Sequence, residues 1–353
     1  MSQKPTRRTR SAPTISDVAK AAGVSLMTVS RVINGENNVR PATREAVNAA
    51  IAALNYAPNP AARSLAGAAQ IRIGMLYSNP SAGFLSEFLL GSLDQASRSD
   101  VQIIVEKCEI GEHEVEVARH LIEGGIDGIV LPPPLCEADA VLAALNQARI
   151  PTVLVASGEP CEAMLAVRID DRTAALDMTR HIMALGHQRI GFIRGNPNLT
   201  ASDRRFEGYR AALDEAGIAF DEGLVTQGLY TYRSGLDAAE RLLERDDPPS
   251  AIFASNDDMA AATVAVAHRR GLDVPGDLTV VGFDDTTLAT AIWPELTTIH
   301  QPIADMARAA VELLVSAIRR QTGAAEPHRL LDFSLIRRQS DAAPRRRPPA
   351  RLG

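Results

Sequence analysis

The stretch from Thr14 to Leu54 constrains the fold of this chain more than any other, because it sets three short amphipathic segments around one glycine turn. Thr14 followed by Asp17 is a capping-box-like start, with a carboxylate near the positive end of a helix dipole. Val18 and Ala22 then share one face, and Gly23 supplies the left-handed turn that ends the segment. Ser25 caps a second helix in which Val29, Val32 and Ile33 turn inward while Leu26, Met27 and Arg31 point elsewhere. A third helix opens at Pro41 and carries Val47, Ile51 and Leu54 at helical spacing. Two short helices joined by a tight glycine turn make a helix-turn-helix, whose second helix enters the major groove of DNA by its N-terminal residues. The candidate DNA contacts are therefore Thr14, Ser25, Leu26, Met27, Thr28, Ser30, Arg31 and Asn34. Arg31 suits guanine, and Leu26 and Met27 suit thymine methyls or sugar edges.

A small helical bundle that binds nothing shares this pattern, and charge separates the two readings. Residues 1–67 carry nine Lys/Arg against three Asp/Glu, a net of +6. The whole chain is −6, which leaves −12 on the remainder. A basic head on an acidic body is the footprint of a nucleic-acid module attached to something else.

Residues 14–67 resemble the LacI/GalR family of bacterial regulators, including its hinge, here Asn59-Pro60-Ala61-Ala62-Arg63-Ser64-Leu65-Ala66-Gly67. The resemblance implies a hinge that becomes helical only on operator DNA, with Asn59, Ala62, Arg63 and Leu65 at the minor groove. Leu65 stands where the family places a leucine wedge, which spends unstacking energy to kink the duplex. Asn59 and Pro60 help such a helix start, but one face of Ala and Leu cannot hold it alone. The expected organisation is a basic arm (1–13), a helix-turn-helix domain (14–58), the hinge (59–67), a ligand-binding core (71–339) and a disordered tail (340–353).

Length leaves room for two sub-domains after the headpiece. The chain is 46% hydrophobic but only 4% aromatic, which suits Ala/Val/Leu/Ile-rich α/β layers. It holds no apolar run of membrane-spanning length and no secretory leader pattern, so a cytoplasmic protein is expected. Cys108, Cys136 and Cys161 lack metal or disulfide spacing and read as reduced packing residues, with neither metal nor cofactor expected.

From residue 71 onward, strand-length apolar runs alternate with helical spacing, the pattern of βαβ units and parallel sheets. The runs are 71–77, 101–105, 126–131, 150–155, 189–193, 251–254, 278–283 and 331–336. An internal repeat refines this. IGMLYSNP at Ile73 is partly matched by IGFIRGNP at Ile190, and Gly74/Gly91 share their spacing with Gly191/Gly208. Two doubly wound halves imply a two-lobed core with a cleft at the strand ends. The family resemblance agrees, implying a core like a periplasmic binding protein, with lobes at 71–169 plus 302–329 and 170–300 plus 330–339.

In that cleft the resemblance places Arg205 as ligand clamp, with Asn256 and Asp284 facing ligand. Arg205 offers a planar fork suited to paired hydroxyls or a carboxylate, though a surface pair with Asp203 or Glu207 is its plainer reading. Tyr230 and Phe84 correspond to rings that stack on ligand in relatives, or else are core, and Asp170 at the first crossover is a further candidate. Asp285 is expected to cap the next turn. Pro132-Pro133-Pro134 and Ala156-Ser157 stand where sugar-binding members carry polar groups, so lobe 1 is expected to give few polar contacts. Trp293 belongs at a dimer face or over a crossover.

Nucleotide, hydrolase and metalloprotease motifs are absent, and Asp284-Asp285 cannot flank one bond from adjacent positions. An enzyme is not expected. The expectation is a homodimeric repressor of carbohydrate-utilisation genes, released from a palindromic operator by a sugar. The alternatives are a corepressor such as a purine or sugar phosphate, and a solute-binding protein without a DNA role.

Overall fold

Thr14 and Asp17 close the first turn of the first helix as their spacing predicts. The Thr14 amide donates to the Asp17 carboxylate at 2.8 Å, and its hydroxyl does so at 2.7 Å. In the computed structural model residues 13–33, 39–54, 56, 70–160, 164–319 and 326–345 are described, and the chain divides into two units, Met1–Gln70 and Ile71–Gly353. The first unit holds α1 (Ile15–Ala22), α2 (Leu26–Ile33) and α3 (Pro41–Leu54). Gly23 ends α1 at φ 68°, and the Ser25 hydroxyl accepts the Thr28 amide at 3.2 Å to begin α2. Val18, Val29 and Val47, one from each helix, are fully buried against one another's cluster.

The second unit opens with β1 (Arg72–Tyr77), α4 (Ala82–Ser99), β2 (Gln102–Lys107), α5 (Glu114–Glu123), β3 (Gly128–Leu131), α6 (Asp139–Gln147), β4 (Thr152–Val155) and β5 (Leu165–Arg168). It continues with α7 (Asp171–Ala184), β6 (Ile190–Arg194), α8 (Thr200–Glu215), β7 (Val225–Gln227), α9 (Tyr232–Leu243), β8 (Ala251–Ala254), α10 (Asp257–Arg269), β9 (Thr279–Val281) and α11 (Leu288–Ala291). The last elements are β10 (Thr298–His300), α12 (Ile303–Ile318), β11 (His328–Leu330) and β12 (Ser334–Ile336).

The strands form two parallel sheets. Lobe 1 has the order β11-β5-β4-β3-β1-β2, and lobe 2 the order β7-β6-β8-β9. A short antiparallel pair, β10 with β12, lies on the crossings between them. One apolar cluster runs through both lobes, joining Val153 and Val167 of the first sheet to Phe192 and Phe253 of the second.

The glycine repeat has a packing cause. A Cβ on Gly91 would lie 2.2 Å from the Ala304 carbonyl oxygen, and one on Gly208 would lie 2.2 Å from that of Arg172. In each lobe a helical glycine lets the backbone of a neighbouring helix approach.

Two boundaries differ from expectation. Leu330 still pairs with Arg168 in the lobe 1 sheet, so that lobe runs past residue 329. Residues 340–345, expected to be disordered, are fastened onto lobe 2. The Ser340 hydroxyl donates to the Val280 carbonyl and accepts the Thr297 amide. The Asp341 side chain is fully buried between Thr297 and His181. Residues 346–353 lie outside the described ones.

Candidate functional site

The headpiece presents an unusual surface. Leu26 and Met27, at the start of α2, are 51% and 64% exposed although both are large and apolar. Ser25 and Arg31 are exposed on the same helix, while Thr28 and Ser30 are half-buried beside them. Thr14 is exposed at the start of α1, within its capping box. Two adjacent apolar side chains in water at a helix N-terminus fit a groove reader better than a free bundle. Asn34 and the hinge positions Asn59, Ala62, Arg63 and Leu65 lie outside the described residues.

In the second unit Arg205 is the centre of the site. It sits in the second turn of α8 and is 5% exposed. Its Nε donates to Asp171 Oδ1 at 2.8 Å, one Nη to the Ser255 carbonyl at 2.5 Å, and the other to Gln301 Oε1 at 3.3 Å. Asp284 Oδ1 stands 3.7 Å from the guanidinium, which lies 3.5 Å over the Phe283 ring. Neither Asp203 nor Glu207 is its partner, for these pair with Arg194 and Arg204. Three of the five guanidinium N–H groups are engaged, and the other two make no hydrogen bond among the described residues.

Burial works against that cation, but Tyr230, Asp171 and Asp284 outweigh it and hold the Arg205 pKa above its ordinary value. Burial also pushes the Asp284 carboxyl well above the usual range, with Arg205 pulling it back. Asp171 is raised by burial and likewise opposed by Arg205. Beneath them Asp257 accepts the Thr286 amide at 2.8 Å and the Thr298 hydroxyl at 2.7 Å, yet burial lifts its pKa to about 7.

The cleft between the lobes holds a pocket of about 50 Å³. Phe84, Arg205, Tyr230, Asn256 and Asp284 all line it. Tyr230 and Asp284 hold left-handed backbones, φ 60° and 107°, which non-glycine residues keep only where their surroundings over-determine them. Phe84 is both core and lining, 5% exposed and stacked on Phe88. Asn256 caps α10 through the Met259 amide while its side-chain nitrogen holds the Tyr230 carbonyl.

Asp170 does not join this set. Its carboxylate accepts the Thr173 amide and hydroxyl and caps α7, and the next residue, Asp171, reaches Arg205. Asp285 does not cap the turn either. It pairs with Arg338 and His300, and the turn amide of Thr286 goes to Asp257. Trp293 is 75% exposed and covers no crossover.

Gln301 is the residue the sequence reading missed. It is 1% exposed, its oxygen is taken by Arg205, and its buried nitrogen has no partner among the described residues. It follows β10, a strand too short to stand out by composition. Lobe 1 offers mainly Pro80, Phe84, Pro133, Pro134 and Ala156, and its two polar lining residues are already bonded, Asn79 to the Pro133 carbonyl and Ser81 to Asp258. The expected poverty of polar contacts on that wall is what the structure has. No helix among the described residues is long and apolar enough to cross a membrane.

Comparison with known proteins decides the family. Residues 14–59 match the model of bacterial regulatory proteins of the lacI family, and residues 179–340 match a periplasmic binding protein-like domain. Catabolite control protein A of Priestia megaterium is 36% identical over 88% of this chain and 93% of its own length. The chain belongs to the LacI family. Two solved structures of such regulators share its fold. A complex of the regulator CelR with cellobiose has a TM-score of 0.72 at 34% identity, covering 93% of this chain and 99% of that one. The Lac repressor dimer bound to operator and the anti-inducer ONPF has a TM-score of 0.75 at 27% identity, covering 94% and 100%. This LacI-family chain is accordingly a DNA-binding transcriptional regulator and not an enzyme.

Proposed function

We propose that this regulator acts in the cytoplasm as a homodimeric repressor of carbohydrate-utilisation genes, released from a palindromic operator when a neutral sugar enters the cleft. The observation that carries the effector class is the state of Arg205. It is the only cationic side chain among the described lining residues, and Asp171 already balances its charge. A phosphate or carboxylate would meet Asp284 as well, with no second cation to offset it. A sugar hydroxyl both donates and accepts, and so answers Asp284, the two remaining Arg205 N–H groups and the Gln301 amide together. The similar CelR was solved with cellobiose, which supports a saccharide.

In this reading Arg31, Leu26 and Met27 read bases, and Ser25, Thr28, Ser30 and Thr14 hold phosphates or neighbouring edges. Asn34, Asn59, Ala62, Arg63 and Leu65 complete the contact. Leu90 and Leu93 on α4 and Trp293 in lobe 2 stand exposed, and a second copy supplies their cover. A free-standing solute-binding protein has no use for a basic headpiece.

A melting-temperature screen tests the effector class. Ligand at a hundred times its Kd stabilises by about 2.7 kcal/mol. Neutral mono- or disaccharides should raise the melting temperature, and sugar phosphates and purines should not. A shift confined to phosphorylated or purine compounds overturns the neutral-sugar assignment in favour of a corepressor.

A further inference from the structure

Lobe 1, which offers a ligand few polar contacts, carries one carboxylate that reaches across to lobe 2. Glu137 lies in the short turn after β3, and its side chain ends in lobe 2. One carboxylate oxygen accepts the Thr200 amide at 2.7 Å, and the other accepts the Thr200 hydroxyl at 2.6 Å and the Ser157 hydroxyl at 2.8 Å. Thr200 is the first residue of α8, the helix that carries Arg205. Glu137 thus satisfies a first-turn N–H of α8 from the opposite lobe, where a negative charge also meets the positive end of the helix dipole.

Three further contacts converge on the same place. The Glu159 amide donates to the Thr200 hydroxyl at 3.0 Å, and the Glu159 carboxylate pairs with Arg204 at 2.8 Å. Gly158 lies so close that a Cβ there would stand 2.5 Å from the Ala201 nitrogen. That obstacle is backbone and cannot swing aside. At another point between the lobes the Ser81 hydroxyl donates to Asp258 at 2.6 Å.

We propose that Glu137 is a positioning residue of the cleft. From lobe 1 it seats the N-terminus of the lobe 2 helix that bears Arg205, and Gly158 is the residue whose lack of a side chain lets the lobes close far enough for it to do so. The two act as one device. Closure of this side of the cleft and the placement of the clamp are a single event, linked through the first turn of α8. The consequence for an effector rests on the neutral-sugar reading above, but the contact itself does not.

Amide hydrogen exchange on the full-length chain without sugar tests this, with Glu137→Ala, Glu137→Gln and Gly158→Ala. Exchange across residues 199–205 should quicken about ten- to a hundredfold in Glu137→Ala, the equivalent of one lost charged hydrogen bond. Gln keeps an acceptor for the Thr200 amide, and both hydroxyls can turn to accept from its NH₂ group, so Glu137→Gln should stay near the parent rate. Gly158→Ala deletes no hydrogen bond, yet it should quicken the same peptide, while α9 in the interior of lobe 2 stays unchanged in all three. Parent-like exchange at 199–205 in Glu137→Ala or in Gly158→Ala overturns the proposal, as does a Gln variant as fast as the Ala one. No sugar is present, so a screen in which every saccharide fails leaves this result standing by itself.

Discussion

Arg205 Nε lies 2.8 Å from Asp171 Oδ1, and both side chains are almost wholly withdrawn from solvent. The proposed clamp is therefore also half of a buried ion pair. Removing one partner of such a pair leaves an uncompensated charge, at a cost of about 3–5 kcal/mol. Arg205→Ala should unfold at markedly lower denaturant than the parent, before any effect on ligand is considered. Arg205→Met combined with Asp171→Asn should recover most of that stability but not the response to sugar. Parent-like unfolding of Arg205→Ala in a urea titration would show that the pair does not hold the core.

Asp257 gives the chain a characteristic pH dependence. Its folded pKa of about 7 exceeds the ordinary 3.8. The unfolded chain therefore releases this proton first, and the carboxyl subtracts stability progressively as pH rises from about 4 to about 7, by up to about 1.4 kcal/mol per pH unit. Below that window it contributes nothing, and above it the loss is constant. Asp257→Asn keeps the contacts to Thr286 and Thr298 without the titration. The variant should gain on the parent as pH climbs through the window, and a stability difference that is flat between pH 4 and 8 contradicts the assignment.

The exposed face of α2 separates reading from folding. Met27→Ala and Arg31→Ala should leave the melting temperature of the headpiece within a degree or two, because neither side chain is buried. Arg31→Ala should weaken operator binding by about 1–3 kcal/mol and relax preference at one half-site position. Binding-site selection on randomised half-sites measures both effects. An unaltered base preference would remove Arg31 from the set of base readers.

The C-terminal residues make a similarly sharp pair. A chain ending at Arg345 should match the full-length protein in stability. One ending at Gln339 loses the Ser340 and Asp341 contacts and leaves the Thr297 amide without its bond to Ser340. That should cost about 3 kcal/mol or more. Equal melting temperatures for the two truncations would mean that the fastening contributes nothing.

The headpiece was almost fully legible because its signals are local. Thr14, Gly23, Ser25 and Pro41 act within one turn of where they stand. The long strand runs were legible too, and Ala251–Ala254 has the bounds that composition predicts. The strands β5, β7, β10 and β11 were not, for Leu165–Arg168, Val225–Gln227, Thr298–His300 and His328–Leu330 each include a polar or charged residue and make no continuous apolar run. Of the cleft, Arg205, Asn256, Asp284, Phe84 and Tyr230 were found by resemblance. Asp170 was taken for its neighbour because the two adjacent carboxylates look alike until one caps a helix and the other meets a guanidinium. Gln301 and Glu137 were invisible, since their roles depend on partners about a hundred and about sixty residues away.

The place of β11 has a consequence for how the protein is made. His328 at the edge of the lobe 1 sheet pairs with Ala166, and α12 packs on the same lobe, although both elements are synthesised after all four strands of the lobe 2 sheet. Lobe 2 can complete its sheet while the chain is still emerging from the ribosome. Lobe 1, begun first, must wait with one sheet edge and the seat of α12 uncovered until residues 303–330 arrive. Such an exposed edge is where nascent chains pair wrongly. Synthesis interrupted between residues 282 and 328, before α12 and β11 are complete, should therefore yield aggregates rather than shortened, folded protein.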